Sequence, residues 1–158
     1  MDEIHVIGGK CLHGNITVQG SKNTVLPLMA GALLYRGINV LKACPRITDV
    51  FYMEEILRAL GAETWWEDHD LYLDCTHADG SHVPEIYSGR MRSSIILLGP
   101  ILARNQQAEI GYPGGCVIGK RPVDLHLYVL RRFGAEIKEE EKKITVSCKK
   151  LCGTEIVF

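Results

Sequence analysis

No apolar stretch of this 158-residue chain reaches membrane-spanning length, and the opening Met1-Asp2-Glu3 carries the wrong charge for a signal peptide. A membrane span and export are therefore not expected, and the sequence reads as cytoplasmic. Net charge is also nearly absent: the formal value of −1 argues against bulk attraction to nucleic acid or an anionic membrane. An anion would have to be held by a local cluster of basic groups. The six cysteines, at 11, 44, 75, 116, 148 and 152, lack the close spacing of a disulfide scaffold and include no CxxC, so free thiols are expected. There is no P-loop and no GxGxxG after a strand. Cys75, His77, Asp79 and His82 fall close together but match no usual zinc spacing. With Gly80-Ser81 they read as a polar loop, and a metal is not expected there.

What is present is the composition of a soluble globular protein, 46% hydrophobic and 23% charged, in a chain long enough for one ordinary domain. The chain repeats itself. Leu57-Arg58-Ala59-Leu60-Gly61-Ala62-Glu63 returns as Leu130-Arg131-Arg132-Phe133-Gly134-Ala135-Glu136. Upstream, the segment from Lys22 to Leu28 aligns with that from Arg92 to Leu98. The offset grows from 70 to 73 residues between these points, so the second copy carries a short insertion, near Pro113-Gly114-Gly115-Cys116.

Each copy reads as a β-α-β-α-β-β unit, giving an α/β fold of repeated units with buried helices. In the first, Asn15 to Val18 alternates like a strand and Asn23 to Leu34 is a helix. Ile38 to Leu41 is a strand, Thr48-Asp49 opens a helix running to about Leu60, and Gly61 stops it. Glu63 to Glu67 and Leu71 to Asp74 pair as a hairpin. Helices at about 91–103 and 123–133 follow the same plan in the second copy. The segments from Val25 to Leu34 and from Ser94 to Ala103 are apolar on every face, which predicts helices buried on all sides. Leu151 to Phe158 resembles Leu12 to Val18, so the chain reads as two units plus the start of a third. Such a chain, truncated or split, predicts apolar faces covered by self-association or by a complementing C-terminal chain.

Three basic residues fall at similar places: Lys22, Arg92 and Arg121 each stand at the start of a helix. Helix N-termini favour anions, and Lys or Arg there adds full charge. Solvated helix-capping charges would explain any one of them; an anion pocket better explains all three. Cys116 lies in the glycine-rich run Tyr112-Pro113-Gly114-Gly115-Cys116-Val117-Ile118-Gly119-Lys120-Arg121. Its basic neighbours would lower the thiol pKa. An incidental loop thiol explains Cys116 equally well from the residues alone.

Gly20-Ser21-Lys22-Asn23, Met91-Arg92-Ser93-Ser94 and the run from Pro113 through Arg121-Pro122-Val123-Asp124-Leu125-His126 together resemble the UDP-N-acetylglucosamine 1-carboxyvinyltransferases. The similarity runs from about Ile4 to the end. It implies the enolpyruvyl transferase-like inside-out α/β barrel, in which two domains each hold three β-α-β-α-β-β units. On that plan residues 1–20 are N-terminal strands of the family's second domain. Residues 21–158 are then an incomplete domain with units at about 21–76 and 84–149. The implied reaction moves the enolpyruvyl group of phosphoenolpyruvate to the 3′-hydroxyl of UDP-N-acetylglucosamine, the first committed step of peptidoglycan synthesis. Cys116 matches the general acid that fosfomycin alkylates. Lys22 and Arg121 match residues that hold phosphoenolpyruvate. Asn23, Arg92, Arg121, Pro122, Val123, Asp124 and Leu125 match contacts to the UDP-sugar. The family's second domain supplies an aspartate and a further arginine with no counterpart here, which predicts a chain inactive alone. The alternative is a non-catalytic UDP-sugar-binding or regulatory paralogue.

Overall fold

The computed structural model describes residues 3–114 and 122–157. The first half begins with α1 (Lys22–Ala32), followed by β1 (Ile38–Leu41), α2 (Thr48–Ala59), β2 (Glu63–Glu67) and β3 (Asp70–Asp74). The second half contains β4 (His82–Val83), the short α3 (Glu85–Ser88) and a 3-10 stretch (Arg92–Leu97) that runs directly into α4 (Leu98–Asn105). It continues with β5 (Gln107–Gly111), α5 (Asp124–Arg132), β6 (Glu136–Glu139) and β7 (Lys143–Ser147).

The strands form two sheets of matching order. β1-β3-β2 is antiparallel throughout, and β5-β7-β6 repeats it, with β4 added parallel to β5 at the edge. The last helix of each half, α2 and α5, ends in the same way. Gly61 and Gly134 adopt φ of +98° and +91°. The next residue donates back five positions, Ala62 N–H to Leu57 O at 2.9 Å and Ala135 N–H to Leu130 O at 3.0 Å. A left-handed glycine closing a helix is the ordinary solution to its unpaired carbonyls. At Gly61 a Cβ would also sit 2.7 Å from the His77 carbonyl oxygen.

α2 shows why its sequence folds as it does. Val50, Met53, Ile56 and Leu57 recur at helical spacing and are buried. Asp49 lies in the first turn and Arg58 in the last, each with the sign that the helix dipole favours. Buried Glu54 accepts hydrogen bonds from Arg58, Thr64 Oγ1 and Trp66 Nε1 at 2.9, 2.8 and 3.1 Å, tying α2 to β2.

The halves meet along α1 and the 3-10 stretch, whose apolar side chains join one core. Arg104 of α4 pins this junction with a side chain only 4% exposed. It donates to the carbonyls of Leu33, Cys75 and Thr76 at 2.8, 2.6 and 3.1 Å and pairs with Asp79 at 3.2 Å. Arg36 joins Asp79 at 2.8 Å.

Three sequence expectations differ from the structure. Asn15 to Val18 does not form a strand; residues 3–20 carry neither helix nor strand, and Ile16 is 92% exposed. An isolated strand has no partner for its backbone groups, and no described strand lies alongside β1 on that side. The run from Val25 to Leu34 is not buried on all sides: Val25, Leu26, Met29 and Ala30 are buried, while Leu28 and Leu34 are 53% and 62% exposed. Within this chain α1 is covered from one side only. The helix expected at 91–103 is 3-10 for its first six residues and α-helical afterwards.

Candidate functional site

Lys22 occupies the first position of α1, where Ser21 makes no side-chain capping bond. Its ammonium reaches Asp49 Oδ2 at 2.8 Å, in the first turn of α2. Pro27, one turn on, has no N–H and so cannot donate to the Asn23 carbonyl. These features place Lys22, Asn23 and Asp49 at one end of the first half's helix pair.

The second half supplies the opposite wall. Met91 has extended backbone, with φ −140° and ψ 119°, and its side chain is buried in the core. Its neighbours Arg90 and Arg92 are exposed and half-buried respectively. Arg92 Nη2 donates to the Pro122 carbonyl at 3.0 Å, linking the start of the 3-10 stretch to the lead-in of α5. His126, in the first turn and a half of α5, is held below its ordinary pKa by burial first and by the Arg92 charge second, against Asp124.

Together these residues line a cavity of about 490 Å3 that draws on both halves, with Lys22, Asn23 and Asp49 on one side and Arg90, Arg92 and His126 on the other. Its floor is apolar, from Leu26, Ile95 and Ile96. Three cations against one carboxylate give this concave surface the charge to attract an anion. Ile95, Ile96 and His126 also line a second, apolar groove of about 480 Å3 that extends along α5 past Leu125, Val129 and Phe133. Gly99 faces this groove with open space where a side chain would stand.

The residues singled out from sequence fall into distinct places. Lys22, Asn23 and Arg92 share the polar cavity, and Leu125 lines the neighbouring groove. Pro122 is reached through Arg92, Val123 is buried in the core and Asp124 opens α5 from an exposed position. Cys116 and Arg121 lie outside the described residues. The two ends that flank them are well placed. Gly114 N–H donates to Ser88 O at 3.2 Å, against Gly89 with no room for a side chain, and Pro122 stands at Arg92.

Sequence reasoning missed Arg90, Asp49 and His126 as members of the site. The Arg-x-Arg spacing around a core methionine was the available signal for Arg90. Asp49 was read only as part of a helix start. Among the described residues no three His, Cys, Asp or Glu side chains are grouped to hold a metal ion. Asp79 is engaged by Arg36 and Arg104, and His82 Nδ1 lies 3.0 Å from Glu109. No helix among them is long and apolar enough to cross a membrane.

Comparison with known proteins bears on this geometry. Residues 6–158 match the EPSP synthase (3-phosphoshikimate 1-carboxyvinyltransferase) family. The chain is 40% identical over 156 residues to UDP-N-acetylglucosamine 1-carboxyvinyltransferase 2 of Caldanaerobacter subterraneus subsp. tengcongensis. That alignment covers 99% of this chain but 37% of the relative, so this chain corresponds to little more than a third of it. Among solved structures, the enolpyruvyl transferase NikO from Streptomyces tendae superposes with a TM-score of 0.78 at 24% identity, over 91% of this chain and 32% of that one. EPSP synthase from Acinetobacter baumannii gives 0.66 at 17% identity, over 89% and 33%. These two likenesses establish the fold alone.

Proposed function

The chain belongs to the EPSP synthase (3-phosphoshikimate 1-carboxyvinyltransferase) family, and from that premise we propose that it carries part of an enolpyruvyl transfer site acting on phosphoenolpyruvate and UDP-N-acetylglucosamine. The observation that carries the reading is the meeting of Lys22 and Asn23 from one half with Arg92 from the other around a single cationic cavity.

In the proposed chemistry the 3′-hydroxyl of the sugar gives up its proton to the aspartate that the resemblance assigns to the family's second domain, its oxygen adds to C2 of phosphoenolpyruvate, and C3 gains a proton. C3 then loses a proton as the C2–O bond to phosphate breaks and inorganic phosphate leaves. Cys116 delivers the proton to C3. Lys22 and Arg121 hold the phosphoenolpyruvate anion and stabilise charge as it develops, a contribution that grows in a water-poor site. Asn23, Arg92 and the segment from Arg121 to Leu125 hold the UDP-sugar. No metal or organic cofactor takes part. We place the activity in the cytoplasm, in the supply of peptidoglycan precursors.

On this reading the chain does not turn over alone. The exposed Leu28 of α1, Leu34 just beyond it and the apolar groove beside α5 are surfaces for further polypeptide, either the equivalent of the relative's remaining length or a second copy. The test is calorimetry with UDP-N-acetylglucosamine, then phosphate release from phosphoenolpyruvate with and without the C-terminal portion of the 40% identical relative. Saturable UDP-sugar binding, with release that needs both the added portion and the UDP-sugar and vanishes in Cys116→Ala, is the expected result. Binding without release under any combination favours a regulatory paralogue. A chain that ignores the UDP-sugar but responds to shikimate 3-phosphate overturns the substrate assignment.

A further inference from the structure

Arg90 and Arg92 flank Met91, whose side chain is only 4% exposed and fixes the segment against the core. With Met91 extended, the Cα atoms of its two neighbours stand roughly 6–7 Å apart. Both arginines line the polar cavity. Arg90 is held only loosely elsewhere. Its guanidinium lies 3.9 Å from Glu55 in a half-exposed pair and 5.6 Å from the Tyr52 ring, both on α2. Such contacts cost little to give up. Lys22, by contrast, is already matched by Asp49 at 2.8 Å. Counting formal charges on the lining, Lys22, Arg90 and Arg92 against Asp49 leave two positive charges in excess. A diphosphate diester carries two negative ones.

We propose that Arg90 is a specificity-determining residue that recognises the second phosphate of a nucleoside diphosphate, working beside Arg92 across the same face. The inference rests on the reading that this cavity takes a nucleotide sugar, and it assigns the preference for a diphosphate over a monophosphate to one side chain. The guanidinium fork suits the task because it donates two parallel hydrogen bonds to phosphate oxygens.

The experiment titrates the whole chain, and its Arg90→Gln and Arg90→Lys variants, with UDP and with UMP by calorimetry. Arg90→Gln is expected to weaken UDP about tenfold while changing UMP by less than about threefold, and Arg90→Lys to recover part of the loss. A merely structural role for Arg90 would weaken both nucleotides alike, and that result overturns the proposal. So does unchanged UDP affinity in Arg90→Gln, with the substrate reading left standing. Wild-type chain that binds neither nucleotide removes the reading and the proposal together.

Discussion

Replacing Arg104 by methionine tests whether the site depends on one buried side chain that never touches it. Methionine keeps much of the length and the apolar stem but none of the donors. Arg104 serves three backbone carbonyls, of Leu33, Cys75 and Thr76, at 2.6–3.1 Å. Hydrogen bonds from a charged donor contribute about 1.5–3 kcal/mol each, and a buried acceptor left unpaired costs about 1–3 kcal/mol. The sum is discounted because the Cys75 carbonyl also accepts the Ala78 N–H at 3.3 Å and because half-exposed Asp79 is readily resolvated. A loss of about 3 kcal/mol follows, and a fall in Tm of roughly 6–12 °C for a chain of this size. Urea unfolding monitored through Trp65 and Trp66 reads the free energy directly. Arg131→Met, which removes a half-exposed pair with Glu139, is the control and should cost under about 1 kcal/mol. Equal losses in the two variants would refute the argument that burial and carbonyl count set the cost. Because Leu33 caps α1 and Arg104 lies on α4, the variant should also weaken the UDP binding proposed above, which would draw on both halves.

Two further outcomes are expected. Acid should destabilise the fold, because Asp79, beside Arg36 and Arg104, and Glu109, hydrogen-bonded by Lys143, are held below their ordinary values of 3.8 and 4.5. Asp70 and Asp74 are lowered as well, by backbone and Thr76 hydrogen bonds respectively. The unfolded chain binds protons more tightly than the folded one, so stability is complete above those ordinary values and is lost as pH falls through the folded-state ones. A Tm that stays flat from pH 6 down to about 3 would contradict this. Thiol reactivity should sort by burial: Cys11 and Cys152 are exposed, whereas burial pushes Cys44 up to about 11 and raises Cys75. Iodoacetamide followed by peptide mass mapping should find Cys44 and Cys75 last, and labelling of Cys44 as fast as Cys11 would show the core to be open.

How much of this was legible in the sequence depends on how local each feature is. The second helices and their glycine stops could be read because periodicity, capping and a left-handed glycine all act within a few residues. The strand at Asn15 to Val18 could not be settled that way, since alternation describes a strand's faces and says nothing of whether a partner is present. The 3-10 geometry of Arg92–Leu97 was equally hidden, as helical pattern does not separate the two ladders. In the site, Lys22, Asn23 and Arg92 were found through helix starts and motif resemblance. Asp49 lies 27 residues from Lys22 and meets it only because α1 and α2 pack together. Arg104 read as an ordinary last-turn cation; its burial is a consequence of where three separate segments end.

The matching sheet orders have a consequence for how the molecule assembles. Each sheet is stitched from its own stretch of chain, residues 38–74 in one and 82–147 in the other, and the pairs β2–β3 and β6–β7 close across very short turns. Such local pairings pay little loop-closure entropy and form early. The contacts of α1 with the 3-10 stretch, and of Arg104 with Leu33, join partners roughly 70 residues apart and come after them. The cationic cavity therefore depends on contacts between stretches of chain roughly 70 residues apart, and anything that shifts one half against the other reshapes it.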